Sequence, residues 1–477
     1  MDGQYLKKVK VNFIYELLGP KGPIPLGYTK HTISDVIVRI LEDEVEGPST
    51  TFVSSPDTPS DFWREEPMLI DTIIERNKNF NWFPLNELDG PSVVKKDFSN
   101  EFFVCMFEAN HTCSLFEFFG KPKIELEDYF TPKLLKFIKQ CPNFRIVFMD
   151  VREGAYHHTL NLIEKINRFL VKHNINHGPN KVIVTSSNDK IYDLKKQNVE
   201  LFKGIGVYNN NYNIVTAGRF ITEVQFRNHV IRENGYDYTL QDELNLDKKE
   251  KHFLMYNRNT SRMHRPWFVY NLYKSNLLDK GLVSLLQIDD YDELIKRIGT
   301  DDGLGLNEND INELRENTPN FYPRFIDEQD GERVANFHNF LSRKDEYEKT
   351  YFTIVSETNV SRHFRFLTEK TIKPIMNFHP FIIFGNPGSI KQLQGLGFKT
   401  FSNFWDESYD AEIDFKKRTK MILEQVEILT NKSFEEWNQM SLEMEPILRH
   451  NKNILLKMER YKKFPYDLIT NLTGELI

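Results

Sequence analysis

Residues 353–400 (TIVSETNVSRHFRFLTEKTIKPIMNFHPFIIFGNPGSIKQLQGLGFKT) constrain the fold of this chain more than any other stretch. An apolar run ends in Ser356-Glu357, an aromatic follows, and Thr368-Glu369-Lys370 opens an amphipathic segment that leads to a second apolar run at residues 380–384, closed by Gly385. Short apolar runs joined by an amphipathic segment read as two parallel strands with a helical crossover. In an open parallel sheet, loop amides and helix N-termini converge at the carboxyl ends of the strands and accept anions there. Acid, base and glycine of this block all fall at such ends.

The first half carries a strand-helix-strand pattern of its own. Residues 145–150 (RIVFMD) read as a buried strand, residues 158–172 have helical spacing through Leu160, Leu162, Ile163, Ile166 and Leu170, and residues 182–185 (VIVT) form a second strand. At 477 residues the chain exceeds one ordinary core and fits two domains of about 200 residues each. A hydrophobic content of 40%, with 38 Phe and 20 Tyr, supplies apolar area for both. The polar stretch at residues 240–252 separates the two patterns, so the expected domains are residues 1–245 and 246–477. Residues 300–349, rich in Asp, Glu and Asn, read as a surface excursion with short helices. A last strand is expected at residues 398–401, then long helices over 411–463 with Met421, Leu423, Val426 and Leu429 as their core stripe.

A second chemical patch lies upstream of the first, at residues 253–268 (FLMYNRNTSRMHRPWF). A strand here delivers Asn257 and Arg258 to the sheet edge, and the helix that follows presents Arg262 or Arg265 to a phosphate, whose two oxygens match the planar guanidinium fork. Each residue also has an ordinary structural role: a Glu-Lys pair at a helix start, a solvated basic face, a histidine (His379) filling the turn before Pro380. The two patches in this order favour the functional role.

Together they resemble the donor-binding region of the α-1,3-fucosyltransferases and related glycosyltransferases, in which an E-N-x(n)-Y-[IL]-T-E-K run precedes a helix and a V-P-[VI] strand. Glu357 stands at the first Glu, Phe366-Leu367-Thr368-Glu369-Lys370 aligns with the aromatic-aliphatic-T-E-K run, and His379-Pro380-Phe381-Ile382 with the strand start. The chain departs from the pattern at Thr358, where the family has Asn, and at Phe366, where it has Tyr. The resemblance implies that Lys370 pairs with the donor diphosphate, that Glu357 and Glu369 hold ribose or sugar hydroxyls, and that Arg265, with Arg262 in reserve, is the family arginine. It implies the GT-B architecture, an α/β fold of two Rossmann-like domains with C-terminal helices packed across their junction. The expected activity is transfer from a nucleotide sugar, GDP-linked first and UDP-linked next, with inversion and with neither cofactor nor metal.

Inversion requires a base to take the acceptor proton. Asp150 and Glu153 follow the strand at 145–150 and His157 opens the next helix, with Glu153 the first choice; helix capping is their structural alternative. The acceptor stays open among a glycan, a protein and a modified DNA base such as hydroxymethylated cytosine, the last pointing to a viral enzyme. A catalytically inactive sugar-binding protein with this fold is the alternative outside enzymes. A net charge of -7 argues against a uniformly basic surface for nucleic acid. Three cysteines, Cys105, Cys113 and Cys141, form no metal-ligand pattern, and an odd number suits a reducing compartment. With no signal peptide and no 18-residue apolar span visible, a soluble protein of the cytoplasm is expected, the host cytoplasm for a viral member.

Overall fold

The computed structural model describes residues 10–19, 22–25, 80–84, 101–108, 126, 130–150, 156–209, 243–257, 262–285, 304–326, 344–363 and 365–457. The chain divides into two compact units; among the described residues the first ends at Asn209 and the second begins at Glu243.

The first unit is built on a sheet of β1 (Lys10–Gly19), β2 (Gly22–Pro25), β3 (Phe80–Pro84), β4 (Glu101–Glu108), β5 (Phe144–Asp150), β6 (Val182–Ser186) and β7 (Gly206–Asn209). Its order is β2-β1-β4-β5-β6-β7, with β3 also paired to β1. Only the β1–β2 hairpin is antiparallel. Helices α1 (Pro132–Gln140), α2 (Tyr156–Lys172) and α3 (Ile191–Gln197) join β4 through β7. The Thr131 side chain starts α1 by accepting from Leu134 N–H at 3.2 Å, with proline in the first turn where no N–H is needed. Every residue of β6 is buried, as expected of a strand covered on both faces. Phe103, Phe148, Ile163, Ile166 and Phe169 pack in its core. At Gly206 a Cβ would lie 2.1 Å from the Pro179 carbonyl, so β7 requires glycine there.

In the second unit β8 (Lys251–Met255), β9 (Gly281–Val283), β10 (Thr350–Ser356) and β11 (Phe381–Phe384) are ordered β11-β10-β8-β9, all parallel. Around them lie α4 (His264–Lys274), α5 (Glu308–Asn317), α6 (Lys344–Glu348), α7 (Glu369–Met376), α8 (Ser389–Gly395), α9 (Phe415–Thr430) and α10 (Phe434–Lys457). β10 and β11 are wholly buried. Trp437 of α10 stacks on Phe352 with ring centroids 5.2 Å apart and gives its indole N–H to the Leu429 carbonyl at 2.8 Å, which closes α9 and α10 onto β10. The chain is thus α/β with two Rossmann-like units, the expected fold class.

The structure corrects two local readings. Residues 398–401 form no strand: the Asn451 carboxamide of α10 accepts from Lys399 N–H at 2.7 Å and donates to its carbonyl at 2.8 Å, so a side chain satisfies the backbone that a neighbouring strand was expected to pair. On α9 the buried stripe is Phe415, Arg418, Thr419, Ile422, Val426 and Leu429. Met421 and Leu423 are only half-buried, because the 3.6-residue period through Val426 runs via Ile422. The Asp414 carboxylate caps α9 by accepting from Lys417 N–H at 2.9 Å. Asp414→Ala should cost about 1 kcal/mol in urea denaturation, the usual worth of such a cap.

Candidate active site

From β8 the chain passes to β9 on one side, and from β10 to β11 on the other. Neighbouring strands whose connections run in opposite directions leave a crevice outside their carboxyl ends, the usual ligand position in open α/β sheets. Here that position is bounded by Asn257 after β8 and by Ser356-Glu357 at the end of β10. The backbone ladder still holds at Glu357, whose N–H donates to the Phe384 carbonyl at 3.0 Å, but gives way to side chains around it. Asn257 N–H donates to Ser284 Oγ at 3.0 Å, and His264, the first residue of α4, donates from Nε2 to the Glu357 carbonyl at 2.9 Å. Burial first, then Arg265, Arg262 and Arg418, holds the His264 imidazole well below its ordinary pKa. It is therefore neutral, and a carbonyl partner requires the proton on Nε2.

The Glu357 side chain is buried and turned to the start of α7. Its Oε1 accepts from Thr368 N–H at 3.2 Å and Thr371 Oγ1 at 2.5 Å. Its Oε2 accepts from Thr368 Oγ1 at 2.5 Å and Thr358 N–H at 3.3 Å. An ionised carboxylate has about four acceptor positions, so this network engages its capacity. Negative charge against the first turn also complements the helix dipole. Thr368 caps α7 from an extended backbone, its Oγ1 accepting from Lys370 N–H at 3.3 Å. The α4 start and the α7 start are thus both fastened to one residue, Glu357.

The Lys370 ammonium donates to Glu369 Oε1 at 2.6 Å and Thr358 Oγ1 at 3.1 Å, and keeps a quarter of its side chain exposed. Burial raises the Glu369 carboxyl, but Lys370 and Lys373 outweigh it and leave the group below its ordinary pKa, hence ionised. Arg418 of α9 braces the same loop, donating to the Val360 carbonyl at 2.6 Å and to that of Glu412 at 2.8 Å. Burial lowers its pKa to about 10, which leaves it charged at neutral pH. The neighbouring start of α8 is filled by the chain itself: the Asp410 carboxylate accepts from Ile390 and Lys391 N–H at 2.8 and 3.1 Å. Gly388 before it has φ +83°, and a Cβ there would lie 2.3 Å from Arg365 Nη1.

Of the residues singled out in the sequence, Asn257, Glu357, Thr368, Glu369 and Lys370 fall at this carboxyl edge. Arg265 is buried in the first turn of α4, with its N–H on the carbonyl of the half-buried Arg262 at 3.0 Å. Phe366 is a buried core residue. Arg258 and Glu153 lie outside the described residues, as do the side chains of Asp150 and His157. By backbone, Asp150 ends β5 in register with Ser186, and His157 lies in the first turn of α2. Sequence reasoning passed over His264, Ser284, Thr371 and Arg418. Thr371 had a usable signal, since three residues after Thr368 it returns to the same helix face. Among the described residues no group of three or more His, Cys, Asp or Glu is placed to hold a metal, no helix is long and apolar enough to cross a membrane, and Cys105 and Cys141 are buried free thiols.

The opposite, amino edge of this sheet holds a different cluster around a cavity of about 20 Å³ lined by Lys249, Tyr347, Tyr351 and His379. Lys249 Nζ donates to the Thr350 carbonyl at 2.6 Å and the Tyr347 carbonyl at 3.2 Å. Burial pushes its pKa down to about 7, against the pull of Glu348. Burial, with Lys249 nearby, pushes His379 down to about 3. The folded pKa of Lys249 lies below its ordinary 10.5, so between the two values the unfolded chain holds the extra proton. This residue therefore makes stability rise as pH increases above about 7, and costs most below it. Urea melts from pH 7 to 9 should show that rise, and Lys249→Met should flatten it.

No protein-family model matches the chain, and no curated protein matches it significantly. Among solved structures, α,α-trehalose 6-phosphate synthase from Burkholderia multivorans is similar over 98% of this chain and 97% of its own, at 10% identity and a TM-score of 0.36. A UDP-forming α,α-trehalose-phosphate synthase from Burkholderia vietnamiensis is similar over 78% and 73%, at 10% identity and 0.33. The Gap123 glycosylation-associated complex of Streptococcus agalactiae follows over 76% and 54%, at 11% identity and 0.27. Superpositions this loose leave the two parallel sheets themselves to carry the fold class.

Proposed function

We propose that this chain is a glycosyltransferase that takes a sugar from a nucleoside diphosphate donor, GDP-linked first and UDP-linked next, and passes it to a glycan, protein or modified DNA base. The observation that carries this reading is the fastening of two helix starts, α4 and α7, to Glu357 at the switch point of a parallel sheet. Helix N-termini at neighbouring strand ends favour an anion; at α7 the Glu357 carboxylate already takes part of that place, so it is the cations beside these starts that would meet a phosphate. The T-E-K lysine lies in the first turn of α7 and Arg265 in that of α4, with Arg262 two residues before α4, and the motif resemblance points to the diphosphate of a nucleotide sugar as the anion. In this reading the architecture is GT-B.

The chemistry follows from charge. The bond between the sugar's anomeric carbon and the diphosphate oxygen breaks, a bond to the acceptor oxygen forms, and the leaving diphosphate gains negative charge. Lys370 and Arg265, with Arg262 in support, are set beforehand to stabilise that charge with helix amides. The acceptor proton passes to a base of the first unit, Glu153 in first place with Asp150 and His157 as its alternatives. Thermal-shift titration with GDP, UDP, ADP and CDP in EDTA tests the reading. Stabilisation by GDP first, of about 2.7 kcal/mol at a hundred times Kd, is expected. No stabilisation by any of the four at millimolar concentration contradicts it, and binding without transfer to any acceptor marks the inactive sugar-binding protein instead.

A further inference from the structure

Two buried polar side chains at the switch point take no part in the network around Glu357. The Asn257 carboxamide is fully buried, and among the described residues neither its Nδ2 nor its Oδ1 has a hydrogen-bond partner. The Ser356 hydroxyl is 3% exposed and equally without one. They stand at the carboxyl ends of neighbouring strands: β8 and β10 pair as far as Leu254 against Thr353, Ser356 ends β10, and Asn257 follows β8 by two residues. Buried polar groups in folded proteins are nearly always paired, so two orphans at the carboxyl ends of neighbouring strands, the ligand end of the sheet, call for a partner from outside the chain.

The chemistry of that partner follows from what the pair lacks. A carboxamide must both donate and accept, and so must a hydroxyl to be fully satisfied. Phosphate oxygens at neutral pH chiefly accept, and would leave Asn257 Oδ1 unpaired. A sugar hydroxyl donates and accepts at once. We propose that Asn257 and Ser356 form a neutral subsite for hydroxyls of the donor, either of its ribose or of the transferred sugar, separate from the cationic groups that meet the diphosphate. The subsite rests on the donor-binding reading above. Because both side chains are shielded from water, a hydroxyl bound there is discriminated strongly from an analogue lacking it.

Isothermal titration of wild type, Asn257→Leu and Ser356→Ala with inorganic pyrophosphate, GDP, UDP, GDP-fucose and UDP-glucose tests the subsite. Each variant should keep or raise Tm, since an unpaired buried polar group is removed. Each should bind pyrophosphate as wild type does and the preferred nucleotide sugar about tenfold more weakly, the worth of one or two neutral hydrogen bonds. A loss already present with GDP or UDP assigns the ribose, and a loss confined to the sugar-linked forms assigns the transferred sugar. Wild-type affinity for every probe in both variants overturns the subsite while the donor reading stands, and a lowered Tm with that result marks a buried water only. Equal losses for pyrophosphate and nucleotide sugar, with lowered Tm, overturn it in favour of a structural role. If wild type binds none of the five, the donor reading fails and the subsite with it.

Discussion

Lys370→Ala is expected to weaken binding of the preferred nucleoside diphosphate about thirtyfold, or about 2 kcal/mol, without unfolding the protein. The ammonium sits in the first turn of α7 and is partly exposed, so its reach to solvent and to an anion is retained. Its ion pair with Glu369 is largely buried, with 25% and 19% of the two side chains exposed, so part of the effect falls on stability and the binding loss is read beside the variant's own Tm. Removing the lysine also leaves the Glu369 carboxylate without its nearest cation, which adds repulsion to the lost attraction. Lys370→Arg keeps the charge but changes the fork, and should recover only part of the affinity. Calorimetric titration at fixed ionic strength measures both variants, and a Kd for Lys370→Ala equal to that of wild type removes the lysine from the site.

Glu357→Ala carries the largest stability effect, a loss of about 3–4 kcal/mol in urea denaturation. The carboxylate accepts from two threonine hydroxyls and two backbone N–H groups in a buried setting, and truncation orphans donors at the α7 start as well as opening a void. Glu357→Gln keeps the volume and one acceptor oxygen, so about half that loss is expected. The resemblance assigns Glu357 to donor hydroxyls, whereas this geometry makes it the brace that positions Thr368 and Lys370. The two roles separate by experiment. A brace predicts that stability falls and that pyrophosphate and nucleotide sugar weaken together, whereas a hydroxyl ligand predicts unchanged stability and a loss confined to the nucleotide sugar.

Much of the second unit was legible because each of its strands is a short apolar run bounded by polar or turn residues. The 353–400 block resolves into β10, α7 and β11 near the expected positions, with α8 as an addition, and the β5-α2-β6 unit is equally plain. Function was harder to read, because hydrogen bonds across long sequence separations leave no local signature. His264 reaching the Glu357 carbonyl and Arg418 reaching that of Val360 are contacts of this kind. The same limit explains the strand expected at residues 398–401, whose apolar spacing was right for a strand but whose pairing partner is an α10 side chain. Ser356 drew notice as a strand end, and only the sheet order shows that it shares the switch point with Asn257.

A crystal structure of the protein with GDP bound tests the central claim most directly. The account predicts the diphosphate at the carboxyl ends of β8 and β10, within hydrogen-bond reach of Lys370 and the first turns of α4 and α7. A diphosphate bound instead at the amino edge beside Lys249, or to the first unit alone, would contradict it.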